Sequence, residues 1–169
     1  MNVTIVYDSI FGNTAKIASA IAGSFERDDQ IKLATVQEAG DLDLSGTDLL
    51  IIGSPTRGFQ PTPQVQDYIA GLKNLPKHMA AAVFDTRLDL ETVHPAPLRW
   101  VIDVGGYAAD RMAAALRQSG LELRGTPAAF VVTGNEGPLK AGEIERAGEW
   151  ASGLSRTAPC LDGDIHARG

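Results

Sequence analysis

The stretch 3–14 constrains the fold more than any other part of the sequence. An apolar, β-branched run ends at Asp8, a short loop rich in small polar residues follows, and helical spacing begins directly after it. This order predicts a strand, a tight loop and a helix N-terminus. Such a loop can surround an anion with backbone N–H groups, and the helix dipole favours negative charge there. The stretch therefore predicts an anchor for a phosphorylated cofactor.

Length and charge narrow the possible functions. The chain has 169 residues, enough for one domain with a full core. Its net charge of −6 disfavours nucleic-acid binding and suits docking to a basic protein. The single cysteine, Cys160, rules out an internal disulfide and a multi-cysteine metal site. No apolar run approaches the roughly 20 residues of a membrane helix, and no signal segment opens the chain, so we expect a cytoplasmic protein.

Apolar patterning predicts five strands alternating with four or five helices. The strands are the run that ends at Asp8 and the segments 30–34, 48–53, 79–84 and 128–132. Four apolar stripes at helical spacing are Ile17, Ala18, Ile21, Ala22 and Phe25; Val65, Ile69 and Leu72; Met112, Ala115 and Leu116; and Ile144, Ala147, Ala151 and Leu154. The segment 88–105 is interpreted as a long excursion with one short helical turn, because Pro95 and Pro97 interrupt it.

This alternation predicts a doubly wound α/β fold with a five-stranded parallel sheet between two layers of helices. Ligands bind such sheets beyond the carboxyl ends of the strands, where the strand order reverses. The loops that begin near Asp8, Ser54 and Asp85 all lie at that edge, so we expect them to form one site. One domain should cover residues 1–158, and 159–169 should be a flexible tail.

The loop 9–14 resembles the phosphate loop of the flavodoxin family, whose pattern is Thr/Ser-x-Thr/Ser-Gly-x-Thr. The corresponding residues are Ser9, Ile10, Phe11, Gly12, Asn13 and Thr14. They match the pattern except at Phe11, where a ring replaces a hydroxyl and one side-chain contact to phosphate is lost. Asn13 or Thr14 could instead serve only as a helix cap. The resemblance covers about residues 1–154 and implies the strand order 2-1-3-4-5 with FMN at the switch point.

The resemblance also implies that two further loops enclose the flavin ring. The loop expected to pack along the isoalloxazine consists of Ser54, Pro55, Thr56, Arg57, Gly58 and Phe59. The loop expected to border the pyrimidine side consists of Asp85, Thr86 and Arg87. Many flavodoxins sandwich the ring between a Trp and a Tyr, whereas the only aromatic residue in these two loops is Phe59.

Specific roles follow for a few of these residues. Arg57, as a cation near the flavin, would stabilise the anionic reduced form and raise its potential. Gly58 would let a peptide turn over when the flavin N5 gains hydrogen. That peptide is the one between Arg57 and Gly58 or the one that follows it. Phe59 is equally suited to covering the ring and to filling a packing gap, and for Trp100 a core or oligomer contact is favoured over flavin stacking.

Other kinds of site are disfavoured. His78, His94 and His166 lie far apart without ligand spacing, so no metal site is expected. The serines of the loops lack a paired base, and no Gly-x-Ser-x-Gly elbow occurs, which disfavours a hydrolase. A receiver domain would need a lysine after the last strand, where Thr133 stands instead.

We therefore expect a small FMN-binding electron carrier, without acid–base catalytic residues, that shuttles electrons between a reductase and an acceptor protein. The first alternative is an FMN-dependent NAD(P)H:quinone or porphyrinogen-type oxidoreductase in which the segment 88–105 covers the substrate or joins a second subunit. The second is a flavin-free flavodoxin-like interaction module. It is supported by Phe11, which replaces a phosphate-binding hydroxyl of the family pattern. The oligomeric state is open between monomer and homodimer.

Overall fold

The computed structural model describes residues 1–92 and 97–156. The predictions for His94, Cys160 and His166, and for a flexible tail over 159–169, lie outside the described residues. No helix in the described part is long and apolar enough to cross a membrane. The same residues contain no group of three His, Cys, Asp or Glu side chains placed to hold a metal ion.

One sheet of parallel strands forms the centre of the molecule. Its strands are β1 (Asn2–Tyr7), β2 (Gln30–Thr35), β3 (Leu49–Pro55), β4 (Ala80–Leu88), β5 (Glu122–Leu123) and β6 (Ala128–Val132). The order is β2-β1-β3-β4-β5, and β6 also pairs with β4. The doubly wound order 2-1-3-4-5 is therefore confirmed, with the fifth position divided between two strands. β5 pairs with Ala80 and Ala81, and β6 pairs with β4 from Phe84 to Leu88.

Helices cover both faces of the sheet. They are α1 (Asn13–Ala22), α2 (Pro63–Ala70), α3 (Pro97–Gly105), α4 (Ala108–Gln118) and α5 (Glu143–Arg156). α1 and α5 pack together over one face, and α2 and α4 pack together over the other. This arrangement is the predicted three-layer sandwich.

Strand β3 shows why its sequence is an unbroken apolar run. Leu49 and Ile51 belong to the core beneath α1 and α5, whereas Leu50 and Ile52 belong to the core beneath α2 and α4. All four side chains are fully buried. Because successive side chains of a strand point to opposite faces, a central strand covered on both sides needs apolar residues at every position.

Strand β4 is longer than the sequence predicts. The prediction ended this strand at Phe84 and started a loop at Asp85. In the structure Asp85, Thr86 and Arg87 continue the strand, paired with Ala129, Phe130 and Val131 of β6. The pairing satisfies backbone groups that would otherwise be buried without partners. The third loop at the carboxyl edge therefore starts after Leu88, and the prediction of a loop at 85–87 is wrong.

The segment 88–105 is more regular than predicted. A 3₁₀ turn spans Leu90–Thr92, and the nine-residue helix α3 begins at Pro97. Proline suits the first position of a helix because the N–H that it lacks has no intrahelical partner there. The prediction treated Pro97 as an interruption, but it marks the start of a helix.

Helix α5 buries Ala147, Ala151 and Leu154 as predicted, but differs from its predicted stripe at Ile144. Ile144, assigned to the buried face, is 41% exposed, whereas the neighbouring Glu143 is buried. The Glu143 carboxylate accepts a 2.6 Å hydrogen bond from the Val131 N–H, on the edge of β6 that faces away from β4. Arg146, bonded to Glu143, donates to the Ala129 carbonyl on the same edge. The Lys140 N–H donates to the Val131 carbonyl on this edge as well, so side chains of α5 and the preceding backbone together cover the edge strand.

Candidate functional site

Two adjoining pockets lie at the carboxyl edge of the sheet, where the strand order reverses between β1 and β3. The smaller has a volume of about 70 Å³ and the larger about 530 Å³. Five residues line both pockets: Phe11, Thr56, Arg57, Leu88 and Asn135. The pockets form one continuous groove at the position where doubly wound sheets bind their ligands.

The conformation of the loop after β1 is set by Ser9. Its hydroxyl oxygen accepts hydrogen bonds from the N–H groups of Gly12 at 3.1 Å and Ala15 at 3.2 Å. Gly12 is the N-cap of α1, with a φ of +89° that favours glycine and no side-chain cap. The capping role considered for Asn13 or Thr14 is thus not observed. Within the first turn of α1, Ser9 accepts only the Ala15 N–H.

Four other N–H groups of this loop remain available. The amides of Ile10, Phe11, Asn13 and Thr14 have no acceptor among the described residues. All four residues line the smaller pocket. The first turn of α1 also carries no acidic side chain. The Asp8 carboxylate precedes the loop and accepts the Ser9 N–H at 2.9 Å. The four free amides and the first turn of α1 make the smaller pocket suited to an anion.

The side chains of Asn13 and Thr14 attach the loop to its neighbours. The Thr14 hydroxyl lies 2.8 Å from the Thr86 hydroxyl in a buried hydrogen bond, with either oxygen able to act as donor. The Asn13 Nδ2 donates to the Glu136 carbonyl at 3.0 Å. These bonds fix the loop against the end of β4 and against the connection that follows β6.

The connection after β6 was missed by the sequence analysis as part of the site. Gly134 and Asn135 line the smaller pocket, and Asn135 and Glu136 line the larger one. The segment follows a predicted strand at the same edge of the sheet as the other three loops. Its position after a strand and its small polar residues could have identified it as part of the site.

Ser54 and Pro55 are the last two residues of β3 and pair with Asp85 and Thr86, so the prediction that placed them in a loop is wrong. The side chain of Ser54 lines neither pocket. It is fully buried, accepts the Thr62 N–H at 3.0 Å and donates to the Pro55 carbonyl at 3.0 Å. Thr62 is the N-cap residue of α2, so Ser54 connects the end of β3 to the start of that helix. Pro55 lines the smaller pocket, and Thr56 lines both while its hydroxyl accepts the Ala108 N–H at 3.0 Å.

Residues 57–60 form a tight hairpin at the mouth of the pockets. Arg57 and Gln60 exchange two backbone hydrogen bonds of 2.9 and 3.0 Å. Gly58 and Phe59 between them have φ values of +53° and +67°, as in a type I′ turn. Arg111 Nε donates to the Phe59 carbonyl at 2.6 Å. The Arg57 carbonyl accepts the Gln60 N–H, whereas the Gly58–Phe59 peptide has no hydrogen-bond partner within the described chain.

The residues of β4 divide between the pockets and the interior. Asp85 is fully buried and accepts two hydrogen bonds from Arg87, at 2.7 and 2.8 Å, and one from the Ala109 N–H at 2.9 Å. It lines neither pocket. Thr86 lines the smaller pocket and Arg87 the larger. The Arg87 guanidinium carbon lies 3.6 Å from the ring centroid of Tyr107, which also lines the larger pocket and was not predicted as a site residue.

Helix α3 carries an exposed apolar surface and ends two residues before Tyr107. Leu98, Trp100, Val101 and Val104 are between 45% and 69% exposed. The helix lies in the chain between Leu88 and Tyr107, which both line the larger pocket. Trp100, the most exposed of the four, has no core role, so the core contact considered for it is wrong.

Comparison with known proteins agrees with this architecture. Residues 4–96, more than half of the chain, match the family model described as Flavodoxin domain. The chain belongs to the flavodoxin domain family, as the sequence predicts. A comparison with curated proteins finds no match.

Several solved structures share the fold. Oxidised flavodoxin 1 from Bacillus cereus is 17% identical with a TM-score of 0.68, over 94% of this chain and 99% of that one. A flavodoxin from the domain Archaea is 15% identical with a TM-score of 0.68, over 92% and 96% of the two chains. Rubredoxin oxygen:oxidoreductase from Desulfovibrio gigas is 22% identical with a TM-score of 0.65, over 92% of this chain. The present chain spans only 35% of that protein's length.

Proposed function

We propose that this protein binds FMN and carries electrons between a reductase and an acceptor protein. The observation that carries the proposal is the set of four unpartnered amides, those of Ile10, Phe11, Asn13 and Thr14, around a pocket of about 70 Å³. Backbone donors at a helix N-terminus are suited to a phosphate group. The solved flavodoxins that share the fold support the same assignment.

The two pockets fit the two halves of FMN. The smaller would hold the phosphate, with Ser9 and Gly12 maintaining the loop conformation. The larger, about 530 Å³, falls in the range of small-molecule sites and would hold the flavin ring. Phe59 and the stacked pair of Arg87 and Tyr107 would border the ring.

Ser54 and Asp85 line neither pocket and would support the residues that do. Ser54 orients the loop after β3 toward α2, and Asp85 holds the Arg87 guanidinium in place through two hydrogen bonds. FMN, when bound, supplies the electron-transfer chemistry, and the protein supplies anchorage, ring orientation and exclusion of water. The free Gly58–Phe59 peptide is the group best placed to change its hydrogen bonding with redox state, since the Arg57 carbonyl is engaged.

The acidic surface suits a protein redox partner. A net charge of −6 would attract a basic reductase or acceptor and accelerate docking at low ionic strength. The rate of electron transfer to such a partner should fall as salt is raised, because added ions screen charges separated by more than about 10 Å.

The apolar surface of α3 favours a second candidate function. A reductase that delivers electrons to a hydrophobic small molecule, such as a quinone, would use an apolar surface beside the flavin pocket. Leu98, Trp100, Val101 and Val104 form an exposed apolar surface on α3, which ends two residues before Tyr107 of the larger pocket. In this version the flavin is reduced by NAD(P)H and the acceptor is bound by the same protein.

Flavin titration and turnover assays test these proposals together. The apo-protein is titrated with FMN and with riboflavin, and NAD(P)H oxidation by the loaded protein is then followed with and without a quinone. An electron carrier binds FMN more tightly than riboflavin and shows little steady NAD(P)H oxidation in either condition. Sustained oxidation only with the quinone supports the reductase. Failure to bind FMN overturns both.

A further inference from the structure

Phe11 and Arg57 form a pair across the mouth of the groove. The Arg57 guanidinium carbon lies 5.7 Å from the centroid of the Phe11 ring, within the range of a cation–π contact. Phe11 belongs to the loop after β1 and Arg57 to the hairpin after β3, and both line both pockets. The pair therefore connects the phosphate side of the site with the ring side.

The backbone holds Arg57 at this position. The two hydrogen bonds between Arg57 and Gln60 close the hairpin, and Arg111 anchors its tip through the Phe59 carbonyl. The Arg57 side chain forms no ion pair with a carboxylate in the described part of the chain. It is also the one charged side chain among the described residues that line the smaller pocket. Arg57 thus offers that pocket an uncompensated positive charge.

The pairing explains the departure of Phe11 from the family pattern. A hydroxyl at this position could donate one hydrogen bond to a phosphate, and phenylalanine cannot. Its ring instead offers a face on which a guanidinium can rest while the N–H groups of that guanidinium stay free to donate. A charged, potentially bidentate donor would then replace a single neutral hydroxyl.

We propose that Phe11 and Arg57 form a phosphate clamp, in which the ring orients the guanidinium so that it donates to the phosphate of FMN in the smaller pocket. Arg57 is then a determinant of specificity for the phosphorylated flavin over riboflavin, and Phe11 is a positioning residue. The inference rests on the proposed FMN binding and adds to it a side-chain contribution from outside the phosphate loop.

Flavin affinities of a small set of variants test the clamp. The variants are Arg57→Gln, which removes the charge, Phe11→Leu, which removes the ring face but keeps an apolar side chain, and the double variant. Arg117→Gln is the matched control, because Arg117 is exposed in the last turn of α4 and lines neither pocket. Dissociation constants for FMN and riboflavin are measured by quenching of flavin fluorescence at two ionic strengths, and thermal melting of each apo-variant checks folding.

The clamp predicts a loss confined to the phosphorylated ligand. Arg57→Gln should weaken FMN about tenfold, as expected for a lost charged hydrogen bond, and riboflavin less than about twofold. Phe11→Leu should weaken FMN by a smaller factor, and the double variant should be no weaker than Arg57→Gln alone, since the ring acts through the guanidinium. FMN binding should also depend less on salt in Arg57→Gln than in the wild type, and Arg117→Gln should match the wild type.

Other outcomes separate the clamp from the proposed function. If the wild type binds FMN more tightly than riboflavin but Arg57→Gln weakens both ligands equally or neither, the clamp is wrong and FMN binding stands. Additive effects of the two substitutions would contradict the positioning role of Phe11. Wild-type protein that binds no flavin, or binds both flavins equally, overturns the clamp together with the proposed phosphate anchor.

Discussion

The hydroxyl groups of Thr14 and Thr86 lie 2.8 Å apart and share a buried hydrogen bond. Thr14 is in the first turn of α1 and Thr86 is near the end of β4, and both line the smaller pocket. The bond therefore sets the position of the loop after β1 relative to a strand on the other side of the switch point.

Thr86→Val should destabilise the protein by about 1–3 kcal/mol, because the Thr14 hydroxyl is left buried without a partner. The variant should also weaken FMN binding, since the loop loses one of its attachments. Urea unfolding monitored by circular dichroism measures the stability change. Thr86→Ser, which retains the hydroxyl, is the control. Equal stabilities of the valine and serine variants would show that the bond contributes nothing.

Gly53 lies in β3, where it packs against Phe84 of the neighbouring strand β4. A Cβ at this position would lie 2.0 Å from Phe84 Cζ. Phe84 cannot retreat freely, because it packs edge to face with Phe130 at 6.0 Å and Trp150 at 6.2 Å.

We predict that Gly53→Ala lowers the free energy of unfolding by about 3 kcal/mol, at the upper end of the cost of overpacking. Adding Phe84→Leu to Gly53→Ala should recover part of that loss, so the double variant should be more stable than the sum of the two single effects. Chemical denaturation of the three variants gives the comparison. A Gly53→Ala protein within about 0.5 kcal/mol of the wild type would mean that the strands separate to accept the methyl group.

The contact of Glu143 and Arg146 with β6 predicts a pH dependence of stability. Burial opposes ionisation of Glu143, but hydrogen bonds from Arg146 and the Val131 N–H, together with the charges of Arg146 and Lys140, hold its pKa below the ordinary value. A carboxyl with a folded pKa below its unfolded pKa contributes stability above the unfolded value, about 4.3, and loses it as pH falls through the folded value.

Glu143→Gln should therefore be less stable than the wild type at pH 7, by about 1–3 kcal/mol, and this difference should shrink as the pH falls from 5 to 3. Urea unfolding at a series of pH values measures it. Glu145→Gln in the same helix turn serves as a control, because Glu145 is exposed. A difference that stays constant down to pH 3 would contradict the ionised contact with β6.

The hairpin at 57–60 predicts that substitution of Gly58 changes the midpoint potential of bound FMN. Gly58 has a φ of +53°, where a residue with a side chain is less stable by about 1–2 kcal/mol, and its carbonyl belongs to the unpartnered peptide. Gly58→Ala should reduce stability by about that amount. It should also lower the midpoint potential of bound FMN by roughly 60 mV, the equivalent of one lost hydrogen bond in a one-electron couple.

Gly46→Ala is the matched control for that substitution, because the site is exposed, its φ is not positive and a Cβ there would meet no neighbour within 4 Å. Potentiometric titration gives the potentials, and urea unfolding of the apo-proteins gives the stabilities. An unchanged potential in Gly58→Ala would place the redox-dependent hydrogen bond elsewhere.

The order of the sheet could be predicted because it rests on local patterns. The unbroken run of Leu49 to Ile52 identifies a central strand, and the loop from Ser9 to Thr14 identifies the first strand–helix turn. The exposed apolar residues of α3 were assigned to an irregular segment, since Pro97 can either break a helix or begin one.

The details that could not be predicted depend on contacts between residues far apart in sequence. Asp85 has the position of a site residue at a strand end, yet β6 pairs alongside it and Arg87 covers its carboxylate. Tyr107 lies in the wall of the larger pocket together with Arg87, which stacks on its ring. No local pattern in the sequence signals either contact.

The central claim is that free amides of the phosphate loop bind the phosphate of FMN, and ¹⁵N–¹H correlation spectra of the protein test it most directly. Saturation with FMN should shift the amides of Ile10, Phe11, Asn13 and Thr14 downfield, while riboflavin leaves them close to their apo positions. The Gly12 and Ala15 amides, already bonded to Ser9, should move less with either ligand. The account is contradicted if FMN saturates the protein without shifting those four amides, or if riboflavin shifts them equally.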